Sequence, residues 1–139
     1  MNAPLYTIEI LRLASSLPDP APLERVDGRA EQRSPTCGSS LLAEVTVDGG
    51  RVAALSQSVR TCAFGQASAA LVARHAVGQS QEEIEAALAN LTDWLEGRRD
   101  DPGGWGLDAL APARSRKSRH GAILLSLRAL LAAVDEATA

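Results

Sequence analysis

The 139-residue chain is long enough to enclose a hydrophobic core, and we expect one domain over residues 1–139. Its formal net charge of −3 disfavours general nucleic-acid binding, and no run approaches the roughly 20 apolar residues that a membrane span requires. The N-terminus has neither a basic segment nor a long apolar one, so we expect no secretory signal and a reducing, cytoplasmic location. Two cysteines in such a compartment bind metal or react more often than they form a disulfide.

The first part of the chain predicts a helix, a loop and a short strand. Apolar residues at helical spacing indicate an amphipathic helix over residues 6–13. Three prolines place residues 17–22 in a loop, and residues 28–33 favour a short strand.

A β-hairpin follows. Residues 41–47 alternate between apolar and polar side chains, residues 48–50 (Asp-Gly-Gly) are typical of a tight turn, and residues 51–60 form the returning strand. If the turn centres on Gly49, the numbers of paired residues sum to about 98. The numbers of Cys37 and Cys62 give nearly the same sum, so we expect both thiols at the open end of the hairpin. Directly opposite Cβ atoms lie about 5 Å apart, close enough for a shared metal ion or a disulfide.

The remainder of the chain predicts helices. One runs over residues 67–77 and stops at Gly78, so Cys62 lies just before its first turn, where the helix dipole favours a thiolate. Ser80 and Glu83 have the spacing of a capping box that opens a second helix, and Gly97 closes that helix.

The final helix begins near His120, which continues an apolar stripe and is expected to face inward. A histidine in that position is either a core residue with satisfied hydrogen bonds or a metal ligand. The other histidine, His75, is expected to be a solvated surface residue. The basic run over residues 114–119 is either a solvated loop or a surface for an acidic partner or an anionic sulfur species. Together these elements predict an α+β fold, a small, mainly antiparallel three-stranded sheet with helices packed on one face.

Three motifs carry a resemblance to a known family: SPTCGSS before a VDGG hairpin, TCAFGQASAA entering a helix, and RHGAILLSL opening the last helix. They resemble the iron–sulfur cluster assembly scaffolds of the NifU/IscU type, over most of the chain. The resemblance implies a protein that is not an enzyme and that holds iron or a [2Fe–2S] cluster, or zinc instead. It also implies a cysteine desulfurase and cluster-receiving apoproteins as partners, with no nucleic acid or membrane.

The resemblance assigns the site residues one by one. Cys37 matches the first family cysteine, Cys62 the second, and His120 the family histidine; Cys62 is also a possible sulfur acceptor. The family aspartate is replaced by Ser39 and the third cysteine by Gly121. Two thiolates and an imidazole suit iron or zinc, but a tetrahedral site then needs a fourth ligand from outside. Besides a scaffold or carrier, the alternatives are therefore a zinc-binding or metal-free scaffold-like regulator and a sulfur acceptor of a cysteine desulfurase.

Overall fold

The protein is described from a computed structural model that covers residues 6–34 and 38–139. Its sheet consists of strands β1 (Gly28–Arg33), β2 (Ser40–Asp48) and β3 (Arg51–Arg60), and its α-helices are α1 (Ile8–Ser15), α2 (Ala63–His75), α3 (Gln81–Leu95) and α4 (His120–Thr138). Two 3₁₀ helices, Leu107–Ala113 and Lys117–Arg119, precede α4. This is the predicted α+β fold with a three-stranded antiparallel sheet. None of the helices in the described ranges is long and apolar enough to cross a membrane.

The sheet has the strand order β1-β2-β3, and its hairpin turn is the predicted one. Asp48 pairs with Arg51 across Gly49 and Gly50, which both have positive φ angles of the kind that a two-residue hairpin turn requires. The paired residue numbers sum to 99 next to the turn, and an irregularity between Val47 and Thr46 raises the sum to 100 from Thr46 to the open end of the hairpin, against the predicted value of about 98. Beyond the irregularity the predicted face is kept, with Leu55 opposite Val45, but Ala53 is exposed and Val52 takes its place on the buried face.

Helix α4 packs against β1 and β2 on one face of the sheet, and α2 lies beside it. The approach of β1 to α4 is so close that a Cβ atom at Gly28 would overlap the carbonyl oxygen of Ala133. The buried Gln57 on β3 accepts a hydrogen bond from Ser126 Oγ at 2.6 Å and donates one to the carbonyl of Ala69 at 3.0 Å. These bonds join the sheet to both helices and fix how α2 and α4 lie over it.

The helix termini follow local sequence signals. Helix α3 has the predicted capping box: Ser80 Oγ accepts from Glu83 N at 3.2 Å, and the Glu83 carboxylate accepts from Ser80 N at 3.0 Å. That helix ends at Leu95, just before Gly97 with φ of 81°. Helix α4 begins at His120, as predicted. Helix α2 begins four residues earlier than its apolar pattern indicated, directly after Cys62.

Candidate functional site

Cys62 lies at the junction of β3 and α2. It is the N-cap residue of α2, with the extended backbone that this position favours, and its carbonyl accepts the first helical hydrogen bond from Gln66 N at 2.9 Å. Its side chain makes no capping bond, is half-buried against the core, and belongs to a free cysteine. The sulfur is therefore available for bonding to a ligand at the positive end of a 13-residue helix.

The open end of the β2–β3 hairpin is closed by a side-chain hydrogen bond that sequence reasoning missed. Thr61 Oγ1 donates to Ser39 Oγ at 2.9 Å, which ties the residue before Cys62 to the residue before β2. The backbone N–H of Ser34 also donates to the carbonyl of Ser39 at 2.9 Å, and the side chains of Ser34 and Ser39 are buried. These two hydrogen bonds thus hold Ser34, Ser39 and Thr61 together at the end of the sheet next to Cys62.

A glycine makes room for this arrangement. A Cβ atom at Gly65, in the first turn of α2, would overlap the side chain of Thr61. Thr61 therefore packs against α2 at Gly65, where no side chain larger than the hydrogen of glycine fits. A sequence signal for this contact is the glycine itself, which lies just before the helix that the apolar pattern predicted over residues 67–77.

Cys37, the first predicted ligand, lies outside the described residues, as do Pro35 and Thr36. Its proximity to Cys62 stays a prediction. Ser39, which occupies the position of the family aspartate, is described: it contributes a hydroxyl that is bonded to Thr61 and no carboxylate.

His120 is held by two backbone carbonyl groups. Its Nε2 atom lies 3.0 Å from the carbonyl oxygen of Ala113 and 3.0 Å from that of Arg114. A carbonyl oxygen only accepts hydrogen bonds, so Nε2 must carry the proton. In the neutral ring the lone pair is then on Nδ1. This is the arrangement common for metal-binding histidines, in which one ring nitrogen donates to a carbonyl group and the other is left for the metal.

The direction of α4 brings its first residue toward the edge of the sheet that is formed by the strand ends next to Cys62. Ala133 packs against Gly28, which is paired with Val45, whereas Ser126 bonds to Gln57 two rows further along the strands. Going toward its N-terminus, α4 therefore advances toward the row of Arg33, Ser40 and Arg60. Cys62 follows Arg60 by two residues. Both α2 and α4 thus begin near the same edge of the sheet.

Within residues 6–34 and 38–139, no group of three or more His, Cys, Asp or Glu side chains is placed so that it could hold a metal ion. The finding covers Cys62 and His120, but it does not cover Cys37, which lies outside the described residues. Gly121 provides no side chain at the position of the family's third cysteine.

His75 is not the solvated surface residue that its sequence context predicted. It is half-buried, its Nδ1 atom lies 2.8 Å from the carbonyl oxygen of Leu71, and its ring stacks on that of Trp105 with centroids 6.2 Å apart. Trp105 lies on the glycine-rich loop after α3, and the helical pattern around His75 contained no sign of this long-range contact.

Solved structures share this fold closely. The N-terminal part of a nitrogen-fixing NifU-like protein from Brucella abortus aligns with a TM-score of 0.89 and 27% identity, over 96% of this chain and 94% of its own. In its fold this chain resembles the NifU/IscU type. A candidate iron–sulfur cluster assembly scaffold protein for the SUF system, from Fervidobacterium islandicum AW-1, aligns with a TM-score of 0.82 over 94% of this chain and 96% of its own. At 18% identity, that second likeness is one of fold.

No family model and no curated protein matches the sequence. The NifU/IscU-type relationship therefore rests on the three-dimensional fold and on the short motifs around Cys37, Cys62 and His120. The resemblance that those motifs predicted is confirmed.

Proposed function

We propose that this chain is an iron–sulfur cluster assembly scaffold or carrier, a protein that holds its cargo and does not itself catalyse a reaction. The observation that carries the proposal is the match to the NifU-like structure over 96% of the chain. It agrees with the free thiol of Cys62 at the start of α2 and with the family motifs in the sequence. A cysteine desulfurase would supply sulfur, and apoproteins would receive the cluster.

The proposed ligands are Cys37, Cys62 and His120. Thiolate and imidazole groups are the donors that iron and zinc accept. Cys62 supports the fit because its sulfur makes no capping bond and is partly accessible. His120 supports it because its Nε2–H donates to carbonyl groups and leaves Nδ1 as the acceptor nitrogen.

Three protein ligands leave one position open. Ser39 and Gly121 supply neither the carboxylate nor the thiolate of the family, so the fourth donor is proposed to come from water, from sulfide or from a partner. A site with fewer protein ligands suits a carrier, since the cargo has fewer bonds to lose during transfer.

The same two replacements favour a second candidate function, a scaffold-like protein that binds zinc or no metal. In one version it accepts sulfur: the Cys62 thiolate attacks the terminal sulfur of a desulfurase persulfide, and the desulfurase cysteine leaves as a thiolate. In the other version it regulates the desulfurase without taking up sulfur.

Anaerobic reconstitution with ferrous iron and sulfide separates these functions. A scaffold or carrier should show cluster absorption with iron and sulfide in equal amounts, and should lose it in Cys37→Ser and in Cys62→Ser. The matched control is His75→Ala, because His75 is the other histidine and is bonded to Leu71 and stacked on Trp105. A colourless protein that retains zinc would overturn the scaffold proposal in favour of the second function.

Sulfur acceptance is tested in a separate assay. The desulfurase of the same organism is mixed with the wild-type chain, with Cys37→Ser and with Cys62→Ser, and persulfide on this chain is measured by mass spectrometry. An acceptor should gain one sulfur atom at Cys62. A regulator should change the rate of the desulfurase equally with or without the Cys62 thiol.

A further inference from the structure

We propose that the edge of the sheet near Cys62 carries a docking surface for an acidic protein partner. The surface, here the basic edge, consists of Arg60, Arg116, Lys117 and Arg119. Arg60 is the last residue of β3, and the other three lie at or in the 3₁₀ helix just before α4. The inference deepens the proposed function, since it names the chemistry of a partner that approaches the proposed ligand cysteine.

The first argument is that none of these neighbouring cations forms an ion pair with a carboxylate among the described residues. Each of five other arginines has a carboxylate oxygen within 4.0 Å: Arg25, Arg29, Arg33, Arg51 and Arg98. In the part of the chain that the structure describes, no residue of the basic edge forms such a pair. Arg12, Arg74, Arg99 and Arg128 also have no such pair in that part of the chain, so what distinguishes the basic edge is that Arg116, Lys117 and Arg119 lie within four consecutive positions.

The second argument is the position of the cations on the fold. Positive charges just before the first turn of a helix oppose the helix dipole and weaken folding slightly. Arg114, from the same basic run, has structural contacts: its guanidinium lies 4.9 Å from the centre of the Trp94 ring and donates to the Trp94 carbonyl at 3.0 Å. Arg116 and Lys117 are exposed and have no such contacts among the described residues, so packing does not account for them.

The third argument concerns the class of partner. Exposed cations attract any polyanion, but the formal net charge of this chain is −3, whereas a nucleic-acid-binding domain is usually basic as a whole. A small basic surface on an acidic protein is better suited to an acidic protein partner. The basic surface attracts this partner, and the acidic remainder of the chain repels it when it approaches in any other orientation. If the proposed function is correct, the neighbouring site at Cys62 exchanges sulfur or clusters with other proteins, so a protein is the expected partner.

The test is the binding of a fluorescein-labelled, glutamate-rich peptide, followed by anisotropy over a range of salt concentrations. The triple variant Arg116→Gln, Lys117→Gln, Arg119→Gln should bind it about tenfold more weakly than the wild type at low salt, and the difference should shrink as salt rises. The matched control is Arg12→Gln, Arg74→Gln, Arg128→Gln, which removes three exposed positive charges located elsewhere. It should bind within about twofold of the wild type.

Three results would overturn the proposal: no peptide binding by the wild type at low salt, equal losses in the two triple variants, or equally tight binding of a single-stranded DNA with the same charge as the peptide. Iron, sulfide and zinc content are measured on the same samples, where both triple variants should equal the wild type. Peptide binding without metal or cluster would contradict the scaffold proposal alone. Cluster loading without peptide binding would contradict the docking surface alone.

Discussion

The hydroxyl of Thr61 donates a hydrogen bond to the hydroxyl of Ser39 across the open end of the hairpin, at 2.9 Å. The two residues belong to the motifs that contain Cys62 and Cys37, so the bond couples the two segments from which the proposed thiolate ligands come. The coupling needs no metal, since it joins two side chains of the protein. We therefore expect this edge of the sheet to be ordered before any cargo binds.

Replacement of Thr61 by valine should destabilise the protein by about 1 kcal/mol, because it removes one hydrogen bond of the buried Ser39 and keeps the shape of the side chain. Urea unfolding measures the change. Thr92→Val is the control: the Thr92 hydroxyl donates within its own helix, to the carbonyl of Leu88, and the loss of this bond should cost less. Equal losses in the two variants would show that the Thr61 hydrogen bond has no special role.

Glycine at position 28 should be indispensable for the packing of α4 on β1. In Gly28→Ala the new methyl group would overlap the carbonyl oxygen of Ala133, and relief requires α4 to move away from the sheet. We expect a loss of about 1–3 kcal/mol in the free energy of unfolding, the range typical of overpacking. Arg29→Ala, on the exposed side of the same strand, is the control and should change it by less than about 0.5 kcal/mol. A stable Gly28→Ala protein would contradict the close approach.

Patterns in the sequence predicted those parts of the fold that depend on interactions between residues close together in the chain. The alternation over residues 41–47, the Gly49–Gly50 turn and the Ser80–Glu83 capping box each involve residues close in sequence, and each is confirmed. The pairing shift at Thr46 was missed because a β-bulge leaves the alternation on either side of it intact.

The site was less accessible to prediction because its contacts are long-range. The bond of Thr61 to Ser39 spans 22 positions, and that of Ser68 Oγ to the carbonyl of Ile123, 2.7 Å long, spans 55. The local spacing of apolar and polar residues along the chain carries no information on such distant pairs. The start of α4 at His120 was predicted from its apolar stripe, whereas its Nε2 hydrogen bonds depend on the preceding 3₁₀ turns. The shared metal ligation by Cys37, Cys62 and His120 stays a prediction.

The capping box of α3 should make stability depend on pH in the acid range. Backbone and side-chain hydrogen bonds from Ser80, together with Arg51, lower the pKa of Glu83 from its ordinary value of 4.5. Because the pKa is lower in the folded state, this stabilisation is fully present above pH 4.5 and is lost as the pH falls through the folded-state pKa. The melting temperature of Glu83→Gln should thus lie below that of the wild type at neutral pH, and the gap should close on acidification.

Glu82→Gln is the control for that experiment, since Glu82 is an exposed neighbour in the same first turn without the Ser80 and Arg51 bonds. The gap in melting temperature between Glu82→Gln and the wild type should change less between neutral pH and about pH 3 than the gap for Glu83→Gln, because Glu82 does not form these hydrogen bonds. A gap for Glu83→Gln that stays constant over this range would show that the carboxylate charge contributes nothing.

His120→Gln should weaken zinc binding while the fold is retained. The glutamine side chain still has an N–H that can donate toward the carbonyl groups of Ala113 and Arg114, but it lacks the imidazole Nδ1 lone pair that we propose as the ligand. We expect the zinc affinity, measured by competition with a chromophoric chelator, to fall by at least about tenfold, the lower end of the effect of disturbing a zinc–histidine unit. His75→Gln should leave the affinity unchanged, because the His75 ring is bonded to Leu71 within its own helix. If both variants bind zinc as tightly as the wild type, His120 is a core histidine and the ligand set must be revised.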